Sequence, residues 1–140
     1  MLDTGPLGKL AHPRRHPDVD EWFTATLAAG VQIIVPEIAD YELRRNMLLT
    51  GLHQSIIELN ELRATVMFQP ITTPTMLRAA ELWAMARRGG TPTAGDGDLD
   101  GDVILAAQAL EAGAIVASDN SRHLSRYVTA KSWKQLIPSK

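Results

Sequence analysis

The chain has 140 residues, is 45% hydrophobic and 21% charged, carries a formal net charge of -2 and contains no cysteine. That length suits one domain, residues 1–140, with a proper core. The composition excludes disulfide frameworks and cysteine-built zinc fingers, gives no global electrostatic steering toward nucleic acid, and offers no apolar run near the roughly 20 residues that span a bilayer. The N-terminus lacks a basic stretch followed by an apolar one, so no secretory signal is expected and a cytoplasmic location is the default.

The chain opens MLDTGPLGKL. Asp3 follows an apolar pair and precedes Thr4, Gly5 and Pro6, which read as the turn after a very short first strand. Taken alone, Asp3 reads as a turn or cap residue; a functional role depends on its partners. His12 to Pro17 is a polar loop carrying Arg14, Arg15 and His16. His12 and His16 stand four apart, but Pro13 between them breaks the helix that would aim both at a metal. A helix is predicted from Pro17 to Gly30, with Trp22 and Leu27 toward the core and Asp18, Asp20 and Glu21 at its positive end.

Val31 to Val35 is β-branched and apolar, and reads as a buried strand ending before Pro36. Glu37 to Leu49 follows as a helix, with Ile38, Tyr41, Leu43, Met47 and Leu48 as packing candidates. Glu42 lies within its first two turns, before Arg44 and Arg45; a solvated glutamate and a functional one are equally compatible with that position. Gln54–Thr65 reads as a helix, Met67–Gln69 as a strand, and Thr73–Arg88 as an amphipathic helix with Leu77, Ala80, Leu82, Trp83 and Met85 as core or interface residues. The Gly-, Pro- and Thr-rich stretch Arg87–Asp98 is expected as an exposed, mobile loop. It lacks the lysine that a Walker phosphate-binding loop requires.

The most informative stretch is Asp98–Asn120, DLDGDVILAAQALEAGAIVASDN. Asp98, Asp100 and Asp102 crowd a helix start, and Asp102, Ala106, Ala109 and Gly113 recur at helical spacing. Gly113 is a natural stop, and Ala114–Ser118 has the length of a buried parallel strand. Asp119 then falls where that strand ends, which is where open α/β sheets bind ligands. A short helix over Asn120–Tyr127 and a last strand near Ala130–Trp133 complete the order. Alternation of strand and helix predicts a three-layer α/β/α fold around a central parallel sheet of about five strands. Right-handed crossovers would bring Asp3, Glu42, Asp102 and Asp119 to one edge. Carboxylates that close are costly unless a cation neutralises them, and an all-oxygen set selects Mg²⁺ or Mn²⁺. Phosphoryl transfer is the chemistry such sites perform.

These residues resemble the PIN-domain ribonucleases over nearly the whole chain. The opening hydrophobic–Asp–Thr is matched by Leu2, Asp3 and Thr4; the glutamate followed by Leu and a basic residue by Glu42, Leu43 and Arg44. The helix opening Asp–x–x–Leu–Ala–Ala is matched by Asp102, Leu105, Ala106 and Ala107, and the last strand's end by Ser118, Asp119 and Asn120. Gly5 stands where the family often has Asn or Ser. The resemblance implies a PIN-like fold and a metal-dependent endoribonuclease that cuts RNA. It further implies a toxin of the VapC type, with a cognate antitoxin partner and a homodimer. Asp3, Glu42, Asp102 and Asp119 would be catalytic and hold Mg²⁺ or Mn²⁺, with Asp100 as an accessory ligand. Thr4, Ser118 and Asn120 would support them, and Arg14, Arg15, Arg44, Arg45, Arg87, Arg88 and Arg122 are candidates for RNA phosphate. Two alternatives stand beside this one. A PIN-fold metal- or RNA-binding regulatory module would have little or no nuclease activity. A phosphatase or phospho-acceptor domain would need a lysine after an apolar strand, and Lys9, Lys131, Lys134 and Lys140 are not so placed.

Overall fold

The computed structural model describes residues 1–89 and 96–138, with side chains at 1–89 and 99–138. Elements follow in the order α1 (Thr4–Leu10), α2 (Pro17–Ala28), β1 (Ile34–Pro36), α3 (Glu37–Thr50), α4 (His53–Thr65), β2 (Met67–Gln69), α5 (Thr73–Arg88), α6 (Asp96–Ala112), β3 (Val116–Ser118), α7 (Ser121–Leu124) and β4 (Ala130–Ser132). A 3₁₀ turn, Trp133–Gln135, closes the order. The expected loop Arg87–Asp98 begins inside α5 and ends inside α6; residues 90–95 lie outside the described residues.

The expected three-layer fold with a central five-stranded sheet is corrected. The described residues are rich in helix and hold only two small sheets, β1 with β2 and β3 with β4, both parallel. Each strand is three residues long. The extended segment 1–3 passes between the pairs but forms only an isolated bridge, Leu2 to Ala117. The reason is local. Helix α1 starts at Thr4, leaving no length for a ladder, and Pro36, which has no N–H to donate, closes β1.

Helix α1 itself was expected to be a turn. Asp3 sits at its N-cap in extended conformation and accepts the Thr4 N–H. Pro6 falls in the first turn, where the missing N–H costs no helical bond. Gly113 is in the left-handed region, φ 61°, as its reading as a helix stop requires.

Alternate residues of the extended segments serve two cores. Leu2, Ile33, Val35 and Ala117 pack with Leu7, Leu10, Val19, Ala39, Met47 and Leu59 from the first four helices. Met1, Ile34, Val116 and Ala130 pack with Ile38, Leu105, Ala109 and Leu124. Of the expected small-residue stripe on α6, Ala106 packs with Ala107 against Ala79 and Leu82 of α5 and Ala109 joins the second core, while Gly113 is exposed. By contrast Leu27, Tyr41 and Leu48 are exposed rather than packed, and Leu77 and Met85, expected in the core or an interface, lie outside the core.

Two buried polar knots tie these layers. Gln108 is fully buried; its Oε1 accepts the Ile38 N–H at 3.2 Å, and its Nε2 donates to the Gln69 carbonyl at 2.8 Å. Gln69 Nε2 returns the bond to the Gln108 carbonyl at 2.9 Å. Asp40, also buried, is forked by Arg44 through Nε at 2.8 Å and Nη2 at 3.0 Å, with Arg63 at 3.8 Å. Arg63 in turn lies over the Phe68 ring at 4.0 Å, which couples α4 to β2.

Gln108→Leu would strand the Ile38 N–H and the Gln69 carbonyl in the core. Two unpaired buried groups cost about 3 kcal/mol together. Urea unfolding should show that loss as a lower midpoint at unchanged slope.

Candidate functional site

The segment 1–3 is fixed from both sides. Leu2 N donates to the Ile34 carbonyl at 2.9 Å, Asp3 N to the Ala117 carbonyl at 3.0 Å, and Ala117 N to the Met1 carbonyl at 2.8 Å. Asp3 therefore stands level with the exit of β3. Its Oδ1 accepts the Thr4 N–H at 2.8 Å and its Oδ2 accepts the Ser118 hydroxyl at 2.7 Å. Ser118 is fully buried and accepts the Asn120 N–H at 2.9 Å. The expected supporting trio is thus one relay in which Ser118 acts through its hydroxyl, and Thr4 and Asn120 through their backbones.

Asp119 leaves β3 beside this relay and lies on the first turn of α1. A Cβ at Gly5 would overlap Asp119 Oδ2 and come within 3.0 Å of its Cβ and Cγ. Trp133 Nε1 donates to Asp119 Oδ1 at 3.0 Å, and Lys9 Nζ pairs with Oδ2 at 3.0 Å. Lys9 and Trp133 were not foreseen from the sequence. Their signal was available only in part: Gly5 and Lys9 stand four apart, which puts them on one face once a helix is granted there.

Glu42 comes from α3 and lies against the second turn of α6. A Cβ on Gly101 would sit 2.9 Å from Glu42 Oε1 and 3.2 Å from Oε2. Its neighbour Leu43 faces α1, 3.3 Å from where a Cβ on Gly8 would be. Glu42 thus faces α6 at Gly101, the residue before the half-buried Asp102, while Leu43 faces α1. Asp100 is exposed and lines a shallow hollow with Met76, Trp83, Val103 and Ile104.

The four acids accordingly divide into two groups, Asp3 and Asp119 at the exit of β3, and Glu42 against the second turn of α6, which carries Asp102; α6 begins at Asp96, so Asp102 does not open the helix as expected. The donor set is all oxygen, which is the chemistry of Mg²⁺ and Mn²⁺. Among the described residues, no three of these side chains stand close enough as placed to hold an ion. Lys9 supplies positive charge on the Asp119 side.

The candidate phosphate-contacting arginines divide by what already holds them. Arg44 is committed to Asp40, whose hydrogen bond raises its pKa and keeps it charged. Arg45 lies over Tyr41 at 5.1 Å and Arg87 over Trp83 at 5.3 Å, while Arg88 donates to the Ala84 carbonyl at 3.4 Å. Arg15 is 3.8 Å from Glu58 with most of its side chain exposed. Arg14 and Arg122 are exposed.

No protein-family model and no curated protein matches the chain. Solved structures do. VapBC2 from Rickettsia felis, bound to a DNA fragment from their promoter, matches at 16% identity and TM-score 0.75, over 95% of this chain and 97% of that one. VapBC-1 from nontypeable Haemophilus influenzae matches at 19% and 0.72, over 96% and 98%. FitAcB from Neisseria gonorrhoeae matches at 22% and 0.64, over 96% and 97%. Likeness at these identities shows the fold alone. The expected membership among PIN-domain ribonucleases of the VapC toxin type is corrected accordingly. The matches are to VapBC and FitAB complexes, among them also FitAB bound to an IR36 DNA fragment, and at these identities they do not single out the toxin. No helix among the described residues is long and apolar enough to cross a membrane.

Gly5→Ala would force Asp119 off its seat on α1. Overpacking of this kind costs about 1–3 kcal/mol. A lowered melting temperature and a shifted Trp133 indole N–H resonance, reporting its bond to Asp119, are the expected observations.

Proposed function

We propose that this chain is one component of a toxin–antitoxin system and hydrolyses RNA phosphodiester bonds with Mg²⁺ or Mn²⁺. One observation carries the reading. Asp3 has both carboxylate oxygens oriented, by the Thr4 N–H and the Ser118 hydroxyl, at the exit of β3, where Asp119 also leaves the strand. Orienting a carboxylate through a fixed hydroxyl is how metal sites hold their ligands. Asp3, Glu42 and Asp102 would hold the ion, with Asp119 beside them. A bound ion supplies an acidified water and stabilises charge on the phosphate.

The protein's own part is orientation. Ser118 holds Asp3 in one rotamer, and Gly101 lets Glu42 approach the α6 backbone closely. Arg14, Arg15 and Arg122 have exposed guanidinium groups for phosphate. The exposed Met76, Leu77, Trp83 and Met85 of α5 offer apolar surface for a protein partner or a second copy. The VapBC and FitAB neighbours support the toxin–antitoxin context. A second reading, the DNA-binding antitoxin component, is favoured by the DNA fragments in two of those neighbours.

Purified protein should cleave labelled single-stranded RNA with Mn²⁺ or Mg²⁺ and not in EDTA. Asp102→Asn should reduce the rate by on the order of 100-fold, the scale of losing one charge-stabilising group. A folded protein that leaves RNA intact and retards its promoter DNA would establish the second reading instead.

A further inference from the structure

Lys9 is held as an active-site side chain is held. Its ammonium lies 3.0 Å from Asp119 Oδ2 and 5.9 Å from the centre of the Trp133 ring. The other oxygen of Asp119 accepts the Trp133 indole N–H. Gly5, one helical turn before Lys9, has no Cβ and so admits Asp119 to the same face of α1. A freely exposed ion pair would count for little. This one is located by a third residue and by a steric allowance in the helix beneath it.

Asp119 differs from Asp3 in that one of its oxygens already faces a cation, the Lys9 ammonium. A divalent ion would have to displace an ammonium group to reach Oδ2. Lys9, by contrast, keeps a side chain 37% exposed. An ammonium presents three donors and needs only one for Asp119, so two remain for an oxyanion. Helix α1 then runs directly into the loop carrying Arg14 and Arg15, which extends the positive charge beyond the helix.

We propose that Lys9 is the residue that contacts the RNA phosphate, and that Asp119 positions Lys9 rather than binding metal. The inference rests on the hydrolase reading above and assigns two of its residues differently. Lysine serves as a point-charge binder of phosphate, and a carboxylate partner fixes where that point lies.

Two titrations on the full chain test this. The first measures binding of fluorescein-labelled single-stranded RNA in EDTA, as a function of salt. Lys9→Met is expected to weaken binding about 10-fold and to reduce the salt slope by about 0.7, the signature of one lost phosphate contact. Lys9→Arg should restore most of the affinity, and Asp119→Asn should resemble Lys9→Met. The second measures Mn²⁺ by calorimetry: Asp119→Asn should bind it as the wild type does, and Asp102→Asn should not. Thermal melts of all variants check folding. Unchanged RNA affinity and slope in folded Lys9→Met would overturn the role of Lys9 while leaving the hydrolase reading intact. Loss of Mn²⁺ in folded Asp119→Asn would return Asp119 to the metal site. A wild type that binds neither RNA nor Mn²⁺ would overturn the hydrolase reading and this inference together.

Discussion

The structure depends on how the first three residues are bound. A segment this short has little surface to bury and would fray unless its backbone were satisfied. Here it is bonded to β1 through Ile34 and to β3 through Ala117, while its last residue caps α1 and accepts the Ser118 hydroxyl. One aspartate therefore joins three jobs: it ends an extended segment, starts a helix and ties that helix to the exit of β3. Removing it would loosen each of these at once.

The same economy recurs in the core. Strands of three residues supply few ladder bonds, so side chains complete what backbones cannot. Gln108 and Gln69 exchange side-chain and backbone bonds across α6 and β2, and the Ile38 N–H at the start of α3 finds its acceptor on Gln108. Asp40 gathers Arg44 and Arg63, and Arg63 stacks on Phe68. Satisfied buried groups of this kind orient elements as well as stabilise them, because each bond has a direction that apolar contact lacks.

Charge at the candidate site is distributed by packing rather than by proximity in sequence. Asp3 and Asp119 come to the same end of β3 because the first segment bridges that strand through Leu2 and Ala117. Glu42 is carried to α6 because Gly101 leaves room for its carboxylate, as Gly5 does for Asp119. Two glycines thus let two acids approach two helices closely, Asp119 at the first turn of α1 and Glu42 at the second turn of α6.

The sequence alone determined most element types and their order: the strands at Ile34, Met67, Val116 and Ala130, the long helices, the stop at Gly113 and the small-residue face of α6. These follow from hydrophobic period and from residues with restricted backbones, which act within a few positions. It also placed Asp3 and Asp119 at the ends of extended segments, whereas Glu42 and Asp102 lie in the second turns of α3 and α6. It did not determine that Thr4–Leu10 is helical, because a Gly-Pro pair reads as a turn until Asp3 is seen as its cap. Nor could it determine that the extended segments close into two separate pairs, since ladder length depends on where neighbouring helices begin. Only the tertiary structure decided that Arg44 serves Asp40, that Asp119 holds Lys9 and Trp133, and that Gln108 is a core hydrogen-bonding residue. Each of the last two joins residues far apart in the chain, and no local pattern records which donor will meet which acceptor.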